Sequence, residues 1–231
     1  MAGNVAPNII TDGMILYLDS FNANSFSSGS TTWRDISGNN RNASLTNVQW
    51  SSNNIPYFAY TGSGTLSYGT LTNFQMPVNA FTLNFTFNLA EITSSGFTYL
   101  FFNAATYATA SYYVEITNSS SGLHMILSNS ASYGAASTTN ITVNTGSVND
   151  MVYSYDGSVC RVYQNGIFIN QLTVAPPAPP IFPATAYPAN IGSTFNFSPK
   201  GYIYRVIGYN RALSATEVLQ NYNATKGRFG L

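Results

Sequence analysis

"MVYSYDGSVCRVYQNGIFINQLTV", residues 151–174, alternates β-branched and aromatic residues with polar ones and is punctuated twice, at Asp156-Gly157 and at Asn165-Gly166. Both dipeptides suit a type I′ turn, whose two central residues need the positive φ that Asn, Asp and Gly reach at low cost. The stretch therefore predicts a three-stranded antiparallel meander. Upstream, "FTLNFTFNL" (81–89) sets Phe81, Leu83, Phe85, Phe87 and Leu89 against Thr82, Asn84, Thr86 and Asn88. Period two over that length is the signature of a strand with one face in a core.

Shorter runs of the same kind are "GMILYLDS" (13–20), "TYLFFN" (98–103), "SYYVEIT" (111–117), "LHMILS" (123–128) and "GYIYRVIGYN" (201–210). The third and fourth flank "NSSSG", a hairpin loop. After the meander, "APPAPPIFPATAYP" (175–188) holds six of the ten prolines, and missing N–H donors exclude a central strand there. It reads as an extended surface loop.

One segment differs. In "YNRALSATEVLQNYN" (209–223), Ser214 can cap a helix and Glu217, three residues on, can close a capping box. Leu213 packing on Val218 would staple the start, Leu219 and Tyr222 would extend an apolar face, and Gly227 would end the helix. So short a helix must lie on something, and a sheet edge or rim is the expected place. Many short strands with one terminal helix predict an all-β, antiparallel two-sheet β-sandwich.

Composition narrows the function. Eight Lys and Arg balance eight Asp and Glu, and charged residues make up only 7% of the chain. A basic field for a nucleic-acid backbone is missing, and no apolar run is long enough to insert in a membrane as a helix. The N-terminus shows no basic segment followed by a long apolar one, so the expected chain is made in a cytoplasm without a signal peptide. With 231 residues, one domain over 13–231 is expected, preceded by an arm at 1–12 that orders on assembly. Cys160 is the only cysteine, which excludes an internal disulfide and a multi-cysteine zinc site.

The succession "GMILYLDSFNANSFSSGSTTWRDISGNNRNASLTN", "YDGSVCRVYQNG" and "GYIYRVIGYNRALSATEVLQNYNATKGRFG" resembles the laminin G-like, concanavalin A-like jelly-roll family over about residues 13–230. In particular it resembles the branch found in bacteriophage and large-virus structural proteins. The resemblance rests on Leu16 to Asp19, on Trp33, Asp35, Ser37, Gly38 and Asn39 of the "W-x-D-x-S-G-N" turn, on Asp156-Gly157 and Asn165-Gly166, and on "YNRALS". It implies that the first and last strands lie side by side and that the helix closes the sandwich. Trp33 is then a large anchor, Gly38 part of a turn, and Asp35 a carboxylate that bonds loop amides. Members with calcium use loop acids, which makes Asp19 and Asp35 weak calcium candidates. The usual "FDG" acid is missing from "PYFAYTGSG" (56–64), however, so no cofactor is expected.

Catalysis is not expected either. Glycosidases of this architecture need two carboxylates facing one bond, and the three glutamates, Glu91, Glu115 and Glu217, are far apart in sequence. Glu217 is the cap partner, Glu115 has no acid two residues away, and His124, the only histidine, has no nucleophile motif beside it. Seventeen Tyr and 15 Phe suit both subunit contacts and sugar faces. The resemblance favours a virion structural protein, such as a capsid decoration, fibre or tail-associated component, located in the virion. Its partners are then other virion proteins or copies of itself. The alternative is a lectin-like module that binds host-surface glycans.

Overall fold

The computed structural model describes residues 7–27, 29–50, 56–58, 67–77, 79–91, 97–103, 112–117, 122–127, 143–173, 188–192 and 199–231. Its strands are β1 (Met14–Asp19), β2 (Thr32–Trp33), β3 (Ala43–Thr46), β4 (Gln49–Trp50), β5 (Pro56–Phe58), β6 (Tyr68–Leu71), β7 (Phe81–Glu91) and β8 (Phe97–Asn103). They continue with β9 (Tyr112–Thr117), β10 (Gly122–Leu127), β11 (Asn149–Tyr155), β12 (Val159–Gln164), β13 (Ile167–Thr173), β14 (Asn190–Gly192) and β15 (Lys200–Tyr209), and one helix, α1 (Ala215–Phe229), ends the chain. The proline-rich segment up to 187, the 118–121 loop and residues 59–64 lie outside the described residues.

Two antiparallel sheets form, ordered β13-β12-β11-β7-β15-β5-β4 and β10-β9-β8-β14-β6-β3-β2. The second edge of β15 is shared, since β5 pairs with its start and β1 with Arg205 to Tyr209. First and last strands are thus neighbours, as the resemblance implies. Phe81, Leu83, Phe85, Phe87 and Leu89 are all buried between the sheets, where Phe85 meets Phe101 of the opposite layer at 6.1 Å. Trp33 is fully buried against Phe26, edge to face at 6.1 Å. The result is the jelly-roll β-sandwich that the sequence predicts.

One of the two expected turns is of another type. Asn165 (φ 51) and Gly166 (φ 77) form the type I′ turn. At the other hairpin only Gly157 (φ 99) is positive, while Asp156 N donates to Val159 O at 3.1 Å. Positive φ at the first central residue alone is the type II′ pattern, with Gly157-Ser158 at the tip. The cause is the Asp156 carboxylate, which accepts from Ser158 N and Val159 N and pairs with Arg161 at 2.6 Å. These donors hold its pKa well below the usual carboxylate range, although burial opposes them.

The helix also departs from expectation, in place and in length. It lies across the outer face of the larger sheet, where Leu213 and Val218 pack with Val152, Tyr163, Ile207 and Tyr209 in a second small core. A face is preferred to a rim because those strand residues are apolar and would otherwise be bare. The buried helical stripe is Val218, Asn221, Thr225 and Phe229, whereas Leu219 is 45% exposed. The helix runs through Gly227 and ends where Gly230 takes φ 73, because burying Phe229 outweighs the roughly 1 kcal/mol cost of an internal glycine. Of the expected arm, Asn8 to Asp12 are docked on this layer. Ile10 N donates to Asn221 Oδ1 at 2.8 Å, Gln220 Nε2 to Asn8 O at 2.8 Å, and Arg211 pairs with Asp12 at 2.9 Å.

The capping box forms as read, with Glu217 N donating to Ser214 Oγ and Ser214 N to Glu217 Oε2. Arg211, at 2.6 Å, and the Ser214 donors hold the Glu217 carboxyl down to about 2, against 4.5 for the free group. A depressed folded value means stability that is complete above pH 4.5 and lost as pH falls toward 2. Glu217→Ala should therefore cost roughly 1 kcal/mol at neutral pH, and urea midpoints of the two proteins should converge on acidification through that window.

Candidate functional site

The polar residues of β7 decide the character of the outer face. Alternation sends Thr82, Asn84 and Thr86 away from the main core, yet all three are buried, Thr82 against residues 211–213 at the entrance to α1 and Asn84 and Thr86 against an ion pair that Phe229 covers. Each is matched to a partner. Thr82 Oγ1 donates to Arg211 O and accepts from Leu213 N, and Ser154 Oγ donates to Leu213 O, which ties the helix entrance to the sheet.

One layer along the strands sits a buried charge pair that sequence reading did not single out. Arg205 Nη2 lies 2.5 Å from Asp150 Oδ2, with both side chains almost fully excluded from solvent. Asn84 Nδ2 donates to Asp150 Oδ1 at 2.7 Å, Thr86 Oγ1 donates to Asp150 Oδ2 at 2.9 Å, and Arg205 also reaches Asn84 Oδ1. Phe229 closes the pair from above, its ring centre 5.2 Å from the guanidinium carbon. Only one signal in the sequence marks it, an arginine with Tyr and Ile on one side and Val, Ile and Tyr on the other in "GYIYRVIGY".

A second pair borders the first. Asp19 is paired with Arg205 in the β1–β15 register and is fully buried. Its Oδ1 accepts from Phe21 N, and its Oδ2 from Tyr17 Oη at 3.0 Å and Arg228 Nη2 at 2.6 Å. Burial first, and the Asp19 charge second, push the Tyr17 hydroxyl up, so it stays a proton donor. Asp35 is equally occupied. It accepts from Tyr17 N, Ser37 N, Ser37 Oγ and Arg41 N, each at 2.9 Å, while Gly38 turns the loop at φ 91.

These contacts answer the calcium question for the two candidates. Calcium prefers six to eight hard oxygens, and here a guanidinium holds one carboxylate while loop donors saturate the other. Neither fits the ion, and no group of three acidic, His or Cys side chains that could hold a metal occurs among the described residues.

Beyond Arg228 the outer face opens into an aromatic shelf. Tyr202 and Tyr204 stack at 5.8 Å with an 11° tilt, and Phe21 meets Tyr204 at 5.8 Å and Phe229 at 5.3 Å. Arg228 lies over the Phe229 ring at 5.3 Å. The Asn88 side chain hydrogen-bonds the Tyr204 hydroxyl, whose pKa burial raises. Phe21 is 46% exposed, while Tyr204 and Phe229 are largely covered, so the shelf has an open ring held on a packed base. Strand periodicity places Tyr202 and Tyr204 on β15, the turn after Asp19 supplies Phe21, and the last turn of α1 supplies Arg228 and Phe229. Apolar ring area beside a guanidinium, an amide and phenolic hydroxyls can cover the apolar face of a small polar ligand and hydrogen-bond its edge.

The glutamates do not converge. Glu91 pairs with Lys200 at 3.0 Å and Glu217 serves the cap, while Glu115 stands opposite His124 in the β9–β10 register and both side chains lie outside the described residues. Cys160 is buried in the main core and burial pushes its thiol up, on the sheet opposite to the one that carries His124.

A family model described as the concanavalin A-like lectin/glucanases superfamily matches residues 63–219, well over half of the chain. The chain belongs to that superfamily. No curated protein matches it in sequence. Among solved structures, this lectin/glucanase-type sandwich is similar to Trypanosoma rangeli sialidase, with 14% identity and a TM-score of 0.66 over 96% of this chain and 36% of the other. It is likewise similar to the binding domain of botulinum neurotoxin DC in complex with rat synaptotagmin II, with 14% identity and a TM-score of 0.65 over 93% of this chain and 52% of the other. The chain thus spans about a third of the sialidase and about half of the toxin domain. At such identities the likeness is one of fold.

Proposed function

We propose that this protein is a non-catalytic recognition domain that binds carbohydrate at the shelf formed by Phe21, Tyr202, Tyr204, Phe229 and Arg228. The carrying observation is the exposed Phe21 ring set edge to face on Phe229 beside the Arg228 guanidinium. Membership of a superfamily named for lectins supports the ligand class. The commitment of Glu91 and Glu217 to ion pairs supports recognition without turnover. On a glycan array, Phe21→Ala and Tyr202→Ala should each weaken binding by about tenfold or more, the loss of ~1.4 kcal/mol common for an aromatic contact. The melting temperature of Phe21→Ala should stay close to that of the parent, because the ring is half exposed. Undiminished binding by both variants would refute the site.

A second reading places the domain in a virion of the phage or large-virus kind, as a decoration, fibre or tail-associated component made in the host cytoplasm. Exposed Ile167, Phe168 and Ile169 on a chain of zero formal net charge favour an assembly role. Mass spectrometry of purified virions should then find the chain at stoichiometric abundance, and trace abundance would count against it.

A further inference from the structure

The aromatic shelf shows one partly exposed cation, Arg228, and directly beneath that cation stands a carboxylate. Asp19 is fully buried, yet its Oδ2 takes Arg228 Nη2 at 2.6 Å and its Oδ1 accepts from Phe21 N at 3.0 Å. One side chain closed to solvent thus fixes both groups that the shelf presents, the Phe21 ring through its backbone and the guanidinium directly. The Tyr17 hydroxyl completes the arrangement, donating to Asp19 Oδ2 at 3.0 Å and hydrogen-bonding Arg228. The described residues include all eight Lys and Arg, so the charge around the shelf can be followed cation by cation. Arg205, against the Phe229 ring, is paired with Asp150, and Lys200, two residues before Tyr202, is paired with Glu91 at 3.0 Å. Lys226 lies over the Tyr222 ring, which packs on Gly166 of the β12–β13 turn. The cations that border the shelf are cancelled one for one.

We infer that Asp19 sets the specificity of the shelf: by cancelling the Arg228 charge from below, it makes the shelf select uncharged saccharides over sialylated or sulfated ones. The inference rests on the shelf being the sugar site. Arginine grips a carboxylate or a sulfate with a fork of parallel N–H groups and with its net charge. Here Nη2 is turned inward to Asp19, the Phe229 ring lies 5.3 Å from the guanidinium carbon, and the charge is matched. What Arg228 still offers outward is N–H donation to a hydroxyl or ring oxygen. Beside it the half-exposed Phe21 ring suits the C–H face of a pyranose. An anionic sugar would surrender hydration to a site with no net charge to replace it, whereas a neutral one gives up far less. Asp19 touches no ligand in this arrangement and acts through Arg228 and Phe21, as a positioning residue.

The test is a glycan array that carries each neutral oligosaccharide beside its sialylated and its sulfated derivative, followed by calorimetric titration of the best matched pair into the full chain and into Asp19→Asn. Asparagine keeps the size of the side chain and an Oδ1 acceptor for Phe21 N but removes the charge. For the parent, the neutral member of a pair should bind more tightly, with an affinity that hardly changes between low and high salt. For Asp19→Asn, the ratio of anionic to neutral affinity should rise by about threefold or more, and the rise should fade as salt is added. Asp19→Asn/Arg228→Gln should lose that rise, which a purely structural effect of Asp19 would not do. A parent that prefers the sialylated or sulfated member through a Phe21-dependent contact would overturn the inference and leave the shelf standing. An unchanged ratio in a folded Asp19→Asn protein would do the same. Binding that Phe21→Ala leaves intact, or no binding to any glycan, would remove the shelf and the inference together. The parent measurement decides the matter by itself where Asp19→Asn fails to fold.

Discussion

Replacing Arg205 with Met is expected to destabilise the protein by about 3–5 kcal/mol, the cost of leaving a buried carboxylate without its counter-charge. The reason lies in the neighbourhood of Asp150. That side chain is 3% exposed, its only cationic partner at hydrogen-bond distance among the described residues is Arg205, and Asn84 and Thr86 supply dipoles that hold the carboxylate without neutralising it. The pair itself contributes little net stability. Arg205 Nε and Nη1 have no hydrogen-bond partner among the described residues, so its desolvation is only partly offset. The double variant Arg205→Met/Asp150→Leu should consequently recover most of what the single change loses. Guanidinium denaturation of the parent, both single variants and the double variant would measure this. A loss below about 1 kcal/mol for Arg205→Met would mean that water reaches Asp150 and that α1 does not seal the outer face.

Trp33→Ala should cost a similar amount, about 3–5 kcal/mol, by a different route. Trp33 sits on a two-residue strand, so its backbone pairing is minimal, and it is held by a fully buried ring against Phe26. Removing the ring leaves a cavity at the corner where β2 and β3 close the smaller sheet, and neighbours fixed in other strands relax into it only in part. The indole Nε1 has no partner among the described residues, so Trp33→Phe, which discards that N–H, should cost much less than alanine. A chemical-denaturation series of the three proteins separates the ring from its polar atom.

Much of the architecture was legible because period-two alternation is a local signal. Phe81 to Leu89 announces one buried face, and Asn165-Gly166 and the Ser214–Glu217 box each fix a backbone geometry within four residues. What escaped depends on residues far apart in the chain. The burial of Thr82, Asn84 and Thr86 was not legible, because alternation reports which residues share a side and says nothing of what covers that side. Their cover comes from residues 211–229, more than 120 positions later. Asp156 misled for a related reason: its type suits positive φ, but its carboxylate found the Ser158 and Val159 amides, which moved the turn by one residue. The shelf was illegible as a site, since Phe21, Tyr202 and Arg228 meet only once β1, β15 and the end of α1 are neighbours.

The proposal that recognition happens on the outer face, without turnover, is tested most directly by following the backbone and aromatic resonances of the protein while purified oligosaccharides are titrated in. The expected result is a set of perturbations centred on Phe21, Tyr202, Tyr204 and Arg228, with every sugar recovered intact. Perturbations confined to the opposite sheet around Glu115 and His124, or cleavage products accumulating with time, would contradict it.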